Sequence, residues 1–192
     1  MKAQKDKSGF KKLSSPEKCW VYFHLFKAKR AYKVSLAAQQ TADSIAKTNT
    51  LDQDKNGGQV DAFRHAYWMA TLAQEIGKKS AKSLGKAHEK GNYKQFKKHK
   101  LEDRTTPDQP SSQMDLFNNQ KGIEIFEQNK KASNQELIAT IITNIKEGKL
   151  KTLKKDIEGN YEDCDGNRIE LKEYKGIWDT PKCLINSDKK YL

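Results

Sequence analysis

The chain has 192 residues, of which 35% are hydrophobic, 9% aromatic and 32% charged, and its formal net charge is +12. This length and hydrophobic content predict one ordinary domain with its own core and exclude an intrinsically disordered chain. No membrane-spanning helix is predicted, because the longest apolar stretch, residues 19–26, is far shorter than the roughly 20 residues required and contains His24.

The first residues of the chain are basic. Met1–Lys12 contains five lysines and lacks the apolar stretch of a secretory signal, so we predict a basic, flexible N-terminus over residues 1–14. Either the protein is cytoplasmic, or it is exported after removal of a signal. In an exported protein Cys164 and Cys183 could form a disulfide, with Cys19 left as a buried thiol in the first helix; the sequence does not settle this pairing.

Two helices are predicted before residue 50. Ser14 and Ser15, followed by Pro16 and Glu17, form a helix start with a serine cap, a proline in the first turn and a glutamate near the exposed amides. Apolar residues then recur at nearly helical spacing as far as about Lys47, which predicts a second helix.

Two more helices follow a polar loop. The first is predicted over Gln59–Ile76 and is closed by Gly77. The second is predicted over Lys78–Lys90, with Gly91 and Asn92 as its end.

The next segment is basic and contains proline. It predicts an irregular loop over Lys94–Pro110, followed by a helix over Met114–Phe126 with Ser111 or Ser112 as its cap. A capping box at Ser133–Glu136 begins another helix with a strong apolar stripe.

The C-terminal part changes character. Lys149–Ile157 is predicted as a short basic amphipathic helix, and the turn at Asp165–Asn167 within alternating apolar and polar residues predicts a small hairpin, held to the body by Trp178. The fold class is therefore mainly α, a single helical domain over residues 15–158 with a small C-terminal β-hairpin within residues 159–192.

The helix predicted over Gln59–Ile76 is the most informative one. It is apolar on nearly every side, which is typical of a buried helix. Yet Asp61, Arg64, His65 and Trp68 follow the spacing i, i+3, i+4, i+7 and form one polar stripe. A buried stripe of this kind needs partners, a metal ion or a water-filled cleft, because burying an unpaired charge costs several kcal/mol.

The helix over residues 114–126 offers such partners. Asp115, Asn118 or Asn119, and Gly122 form a second stripe of the same spacing, and the glycine leaves room for close approach of another helix.

A third source of polar groups is the pair His88 and Glu89. With three helices directed at one point, we predict that Asp61, His65, His88 and Asp115 converge. A mixed set of imidazoles and carboxylates is what a catalytic divalent ion, zinc among others, needs when one coordination position stays open.

Two other interpretations of the same residues stay open. Asp61, Arg64 and Asp115 could form a buried ion-pair network that fixes the helix register. Alternatively, a site without metal would use His65 as general base oriented by Asp115, with Arg64 and the asparagine amides holding an anionic substrate.

The loop before this helix resembles the start of a calcium-binding loop. Asp52, Asp54 and Asn56 stand at the positions that supply side-chain oxygens, and Gly57 follows them. Position 12 is Phe63, so the bidentate glutamate is missing, and the rival interpretation is an ordinary polar turn that caps the helix.

Three strings in this region resemble those of a bacterial domain family of unknown function. They are Asn56–Trp68, Ala87–Glu89 and Met114–Asn119, and the resemblance covers about Leu51–Phe126. Members of that family occur as small standalone proteins, often associated with the cell envelope, and related segments occur at the C-terminal ends of polymorphic toxins. The resemblance implies an envelope or secreted location if a signal was removed, and by analogy a hydrolase.

The first functional hypothesis is thus a hydrolase, with or without a divalent metal, acting on a phosphoester or another anionic component of the envelope or of nucleic acid. In it Arg64 binds the anion, while Glu89, Asn118 and Asn119 position water or ligands.

The second hypothesis is a binding or scaffold module. Its basic surface would dock to nucleic acid or acidic lipid, and calcium would stiffen the loop before the central helix. Nucleic-acid binding is indicated by charge alone, and for a membrane surface the predicted helix Lys149–Ile157 is the only candidate and is short.

Overall fold

A computed structural model describes residues 10–98 and 106–189 of the protein. The fold is mainly helical with a small antiparallel sheet near the C-terminus, as predicted. Residues 10–12 are helical, and the named elements are the helices α1 (Ser15–Phe23), α2 (Leu25–Ile45), α3 (Gln59–Ile76), α4 (Lys78–Phe96), α5 (Gln109–Gln128) and α6 (Asn134–Lys146) and the strands β1 (Lys151–Leu153) and β2 (Leu184–Asn186).

Three predictions fall partly outside these residues. The flexible N-terminus falls mainly on residues 1–9, the loop before α5 includes residues 99–105, and the tail includes residues 190–192.

Helix α3 lies at the centre of the fold. It packs against α2, α4, α5, α6 and β1, and side chains on all its faces are buried, among them Phe63, Met69 and Leu72. The prediction of a buried helix is confirmed, and its polar stripe therefore lies inside the protein.

Both predicted capping boxes are present. Ser14 caps α1 through the backbone N–H of Glu17, whose carboxylate accepts the Ser14 N–H, and Ser133 and Glu136 repeat this arrangement at α6. The predicted serine cap of α5 is wrong, since α5 begins earlier and Asp108 caps it.

Helix α4 is longer than predicted. It continues through Gly91 and Asn92 to Phe96, so neither residue ends it. Gly91 instead permits close packing on α1, since a Cβ there would lie 2.4 Å from Oγ of Ser14. The last turn of α4 meets the tail, where the ring centroids of Phe96 and Trp178 are 5.0 Å apart.

The predicted helix over Lys149–Ile157 is wrong. This segment contains β1, which pairs with β2 in the register Thr152 opposite Ile185. The pairing is antiparallel and joins residues far apart in the chain, so local periodicity carried no signal of it. The predicted turn at Asp165–Asn167 exists, but it closes only an isolated bridge between Glu162 and Arg168.

A disulfide joins Cys164 to Cys183 across a sequence separation of 19 residues and ties the turn to the start of β2. This pairing agrees with the one considered for an exported protein. Cys19 is exposed rather than buried, because it lies on the outer face of α1.

Within residues 10–98 and 106–189, none of the helices combines the length and the apolar character that crossing a bilayer requires.

Candidate functional site

The central polar cluster consists of Asp61 and His65 on α3 and Asp115 on α5. Nε2 of His65 lies 3.2 Å from Oδ1 of Asp115 and 3.5 Å from Oδ1 of Asp61. The three residues are 5%, 3% and 9% exposed, so two carboxylates and an imidazole share a nearly water-free space. One ligand atom from each lies within 4.8 Å of the others, and the cluster could hold a metal ion.

Gly122 explains how α5 comes so close to α3. A Cβ at this position would lie 2.1 Å from the backbone oxygen of Ala66, an overlap that no side-chain rotation relieves. Ala66 follows His65 directly, and Asp115 precedes Gly122 by two helical turns on the same face of α5. The glycine therefore brings Asp115 within reach of His65.

Asp61 is fixed by the loop before α3. Its Oδ2 accepts the backbone N–H of Gly57 at 2.7 Å, and its Oδ1 accepts a hydrogen bond from Nη2 of Arg64 at 2.7 Å. Asp61 lies in the first turn of α3, where the helix dipole also favours a negative charge. Both oxygens of Asp61 are thus held in place by the protein itself.

The ring of His65 is oriented by Asn119. Nδ1 lies 3.3 Å from Oδ1 of Asn119, and Nε2 faces the two carboxylates. A neutral ring with its hydrogen on Nδ1 would donate to Asn119 and leave a lone pair on Nε2. An Nε2 lone pair beside carboxylate oxygens is repelled unless a cation or a proton lies between them. Arg64 supplies positive charge here, with its Nη2 3.2 Å from Nε2 of His65.

A cavity of about 480 Å³ adjoins the cluster between α1, α2, α3 and α4. Its polar lining includes Arg64 and His65, and its apolar lining includes Trp20, Trp68 and Leu84. Asp61 and Asp115 lie behind His65 and are not among the lining residues. A ligand in the cavity would therefore contact the imidazole of His65 and the guanidinium of Arg64 rather than these two carboxylates.

His88 does not join the cluster, contrary to the prediction. Its Nδ1 lies 3.0 Å from Oε1 of Glu17 on α1, and its ring makes an edge contact with Trp68 at 5.4 Å between centroids. His88 lines the same cavity as His65 but is outside the group whose ligand atoms lie together. Helix α1 packs against α4 and draws His88 toward Glu17 instead.

Glu89 faces a different neighbour from His88, because adjacent residues point about 100° apart around a helix. Its Oε2 accepts hydrogen bonds from Oγ of Ser112 at 2.8 Å and from Nδ2 of Asn92 at 3.4 Å. Glu89 is buried between α4 and α5 and is not among the residues lining the cavity. Its observed contacts join the two helices that carry the polar groups.

Asn118 and Asn119 have separate roles. The amide of Asn118 donates to the backbone oxygen of Lys151 and accepts the N–H of the same residue, both at 2.9 Å, and so fixes β1 on α5. Asn119 contacts His65, as described above. The sequence pattern could not tell these neighbours apart.

The calcium-like loop uses its oxygens within the protein. Asp52 accepts the backbone N–H groups of Asp54, Gln59 and Val60, which is the capping arrangement, and burial raises the pKa of its carboxyl above the ordinary value despite these bonds. Oδ2 of Asp54 pairs with Lys155 at 2.6 Å. These contacts favour the polar turn over a calcium site.

The sequence missed the contribution of α1 and α2 to the site. The sequence predicts Glu17 as a capping residue, yet Glu17 also lines the cavity. Ser35 of α2 lines it as well, and its hydroxyl accepts a hydrogen bond from Nε1 of Trp68 at 2.8 Å. No short-range pattern marks either residue as part of a site, because both reach it through packing of distant helices.

Replacing Glu17 by glutamine tests the pair with His88. Burial alone would raise the pKa of Glu17, but the hydrogen bond and charge of His88, together with Ser14, outweigh it and hold the pKa below the ordinary value of 4.5. A depressed pKa adds stability above the unfolded-state pKa, and this stability is lost as the pH falls through the folded-state pKa. We therefore expect Glu17→Gln to lower the melting temperature at pH 7 and to have little effect at a pH low enough to protonate the Glu17 carboxyl of the unaltered protein.

The matched control is Glu136→Gln, at the same position of the other capping box and without a histidine partner. We expect it to lower the melting temperature less than Glu17→Gln at pH 7. Equal effects of the two substitutions across the pH range would show that His88 adds nothing to Glu17.

Comparison with known proteins identifies the family. A family model described as "Domain of unknown function (DUF6973)" matches residues 18–149, about two thirds of the chain, and the protein belongs to this family. The matched region contains α3, α4 and α5 and hence the whole polar cluster. Searches of curated proteins and of solved structures returned no match.

Proposed function

We propose that this member of the DUF6973 family is a hydrolase in which Asp61, His65 and Asp115 hold a divalent cation beside the cavity. Its substrate would be a phosphoester or another anionic compound. One observation carries the proposal: two carboxylates and an imidazole are buried with ligand atoms within 4.8 Å of one another, and the imidazole and Arg64 line an adjoining cavity.

The donor set favours zinc over calcium. The cluster offers three ligands, an imidazole nitrogen and two carboxylate oxygens, all of which zinc accepts, and catalytic zinc sites likewise combine three protein ligands with a fourth position for water. Calcium takes six to eight oxygen ligands, more than this cluster supplies. When bound, a zinc ion would lower the pKa of its water and polarise the bond to be cleaved.

Arg64 would bind the anionic group of the substrate. Its side chain is 23% exposed and lines the cavity, while its guanidinium neutralises Asp61 in the absence of a ligand. With Asp61 holding a divalent cation, the guanidinium of Arg64 would instead bind a phosphate, which it can do through two parallel hydrogen bonds. Asn119 would keep the ring of His65 in position through Nδ1.

The same residues also support a reaction without metal. With the hydrogen on Nδ1, Nε2 of His65 could accept the proton of a water molecule as its oxygen bonds to phosphorus and the phosphorus–oxygen ester bond breaks. Asp115, 3.2 Å away, would then stabilise the imidazolium. Both versions depend on His65, which is a metal ligand in the first and the general base in the second.

The disulfide between Cys164 and Cys183 supports a location outside the cytoplasm, since such bonds persist in oxidising compartments. This agrees with the envelope or secreted location that the resemblance implies. The resemblance to polymorphic toxin segments also favours a hydrolase, by analogy.

Metal analysis of the purified protein tests the proposal. Protein stripped with a chelator and then titrated with Zn²⁺ by calorimetry is expected to bind one equivalent and to regain hydrolysis of bis(p-nitrophenyl) phosphate. Hydrolysis that survives the chelator, without metal binding, supports the histidine mechanism instead. If the protein binds no metal and hydrolyses neither this compound nor nucleic-acid phosphodiesters, the hydrolase proposal is contradicted and a buried ion-pair network is favoured.

A further inference from the structure

The corner between α1 and α2 exposes an unusual run of large apolar side chains. Tyr22, Phe23, Leu25 and Phe26 are 72%, 73%, 65% and 97% exposed, and they are four of five consecutive residues. Single exposed apolar residues are ordinary on protein surfaces, whereas a contiguous group of this size indicates a binding surface. We call these four residues the apolar corner.

The break between α1 and α2 at His24 keeps the side chains of the apolar corner exposed. His24 lies between the helices with a backbone conformation that ends α1, and its ring stacks on Trp20 at 4.3 Å between centroids. Trp20 is itself buried in the core, so the inner side of the corner is anchored. The outer side chains are displayed at the break between two helices.

The residues around the corner are basic. Between residues 18 and 42 the chain has five lysine or arginine residues and no acidic one. Lys29, Arg30 and Lys33 are exposed on α2, in the turns that follow the corner. Apolar and aromatic side chains flanked by lysine and arginine are typical of segments that insert into the headgroup region of an anionic bilayer.

We propose that the apolar corner docks the protein on an anionic lipid bilayer, with Tyr22, Phe23, Leu25 and Phe26 inserted and the basic residues of α2 against the headgroups. A second copy of the chain fits this surface less well, because a symmetric dimer would place like charges opposite each other. The proposal does not depend on the proposed hydrolase activity.

Docking would also bring the cavity close to the membrane. Val21, Ala28 and Ala31 line the cavity from the same two helices that form the corner. A substrate with an apolar part and an anionic group could then reach Arg64 and His65 from the bilayer.

Vesicle cosedimentation of the full chain tests the docking. We expect binding to vesicles of phosphatidylglycerol and phosphatidylcholine, much weaker binding to phosphatidylcholine alone, and a decline with salt. The double substitution Phe23→Ser and Phe26→Ser should weaken binding at least about 10-fold, since two inserted side chains are lost. Both residues are exposed, and circular dichroism should show an unchanged fold.

The matched control is Ile157→Ser. Ile157 is 87% exposed and lies near Lys154 and Lys155, but it is an isolated apolar residue outside the corner. The Ile157→Ser substitution should leave vesicle binding unchanged. The proposal is overturned if the control loses as much vesicle binding as the double substitution, or if the unaltered protein does not bind vesicles. It is also overturned if the protein binds no lipid and sedimentation equilibrium shows a dimer that the double substitution dissociates.

Discussion

Replacing His65 by alanine is expected to lower the affinity for zinc more than about 100-fold and hydrolysis about 1000-fold or more. In the proposed site the imidazole would be the only nitrogen ligand, and even substitutions of residues that contact the ligands of a metal cost about 10–100-fold in affinity. In the metal-free mechanism the same change removes the general base, whose contribution is on the order of 10² to 10⁴. Calorimetry with Zn²⁺ and phosphodiester hydrolysis measure the two effects separately.

His88→Ala is the control for this experiment. His88 lines the same cavity but lies outside the cluster. The variant should therefore still bind one equivalent of Zn²⁺, with an affinity close to that of the unaltered protein. Asp115→Asn is the second variant, because it preserves the size of the side chain if His65→Ala proves unstable. Unchanged zinc affinity in both His65→Ala and Asp115→Asn would refute the metal site.

Gly122→Ala should be the most destabilising single substitution among the helical glycines near the site. Its Cβ would lie 2.1 Å from the backbone oxygen of Ala66, and backbone cannot rotate away as a side chain can. Forcing α5 from α3 should cost about 3 kcal/mol or more, which for a chain of this length corresponds to roughly 10 °C in melting temperature. It should also move Asp115 away from His65 and weaken zinc binding.

Gly85→Ala provides the comparison on α4. A Cβ at Gly85 would lie 3.2 Å from Sδ of Met69, the flexible part of a side chain. Alanine also favours a helix by up to about 1 kcal/mol over glycine, so the net change should stay within about 1 kcal/mol. If both substitutions change the melting temperature equally, close approach at Gly122 is not what positions α5.

Much of the site could be predicted because its spacing is local. Asp61 and His65 are one turn apart on a helix that is apolar all round, and a buried polar stripe follows from that alone. Asp115 and Gly122 likewise lie two turns apart on one face of α5, and both residues are buried.

The errors came from contacts between distant segments. The prediction that His88 joins the cluster is wrong because the sequence does not reveal that α1 packs on α4 and presents Glu17 to His88. The pattern also predicts Asn118 as a site residue, but its amide binds the backbone of Lys151, in a strand for which the pattern predicts a helix.

The sequence by itself determined the approximate positions of helices α1 to α6, the two capping boxes and the two polar stripes, because these depend on residues within a few turns of one another. Tertiary structure alone decided which stripe residues meet, which histidine faces the carboxylates and which apolar side chains remain exposed at the corner of α1 and α2. Those outcomes depend on which helices pack together, and burial of apolar surface is not directional enough for a linear pattern to specify that choice.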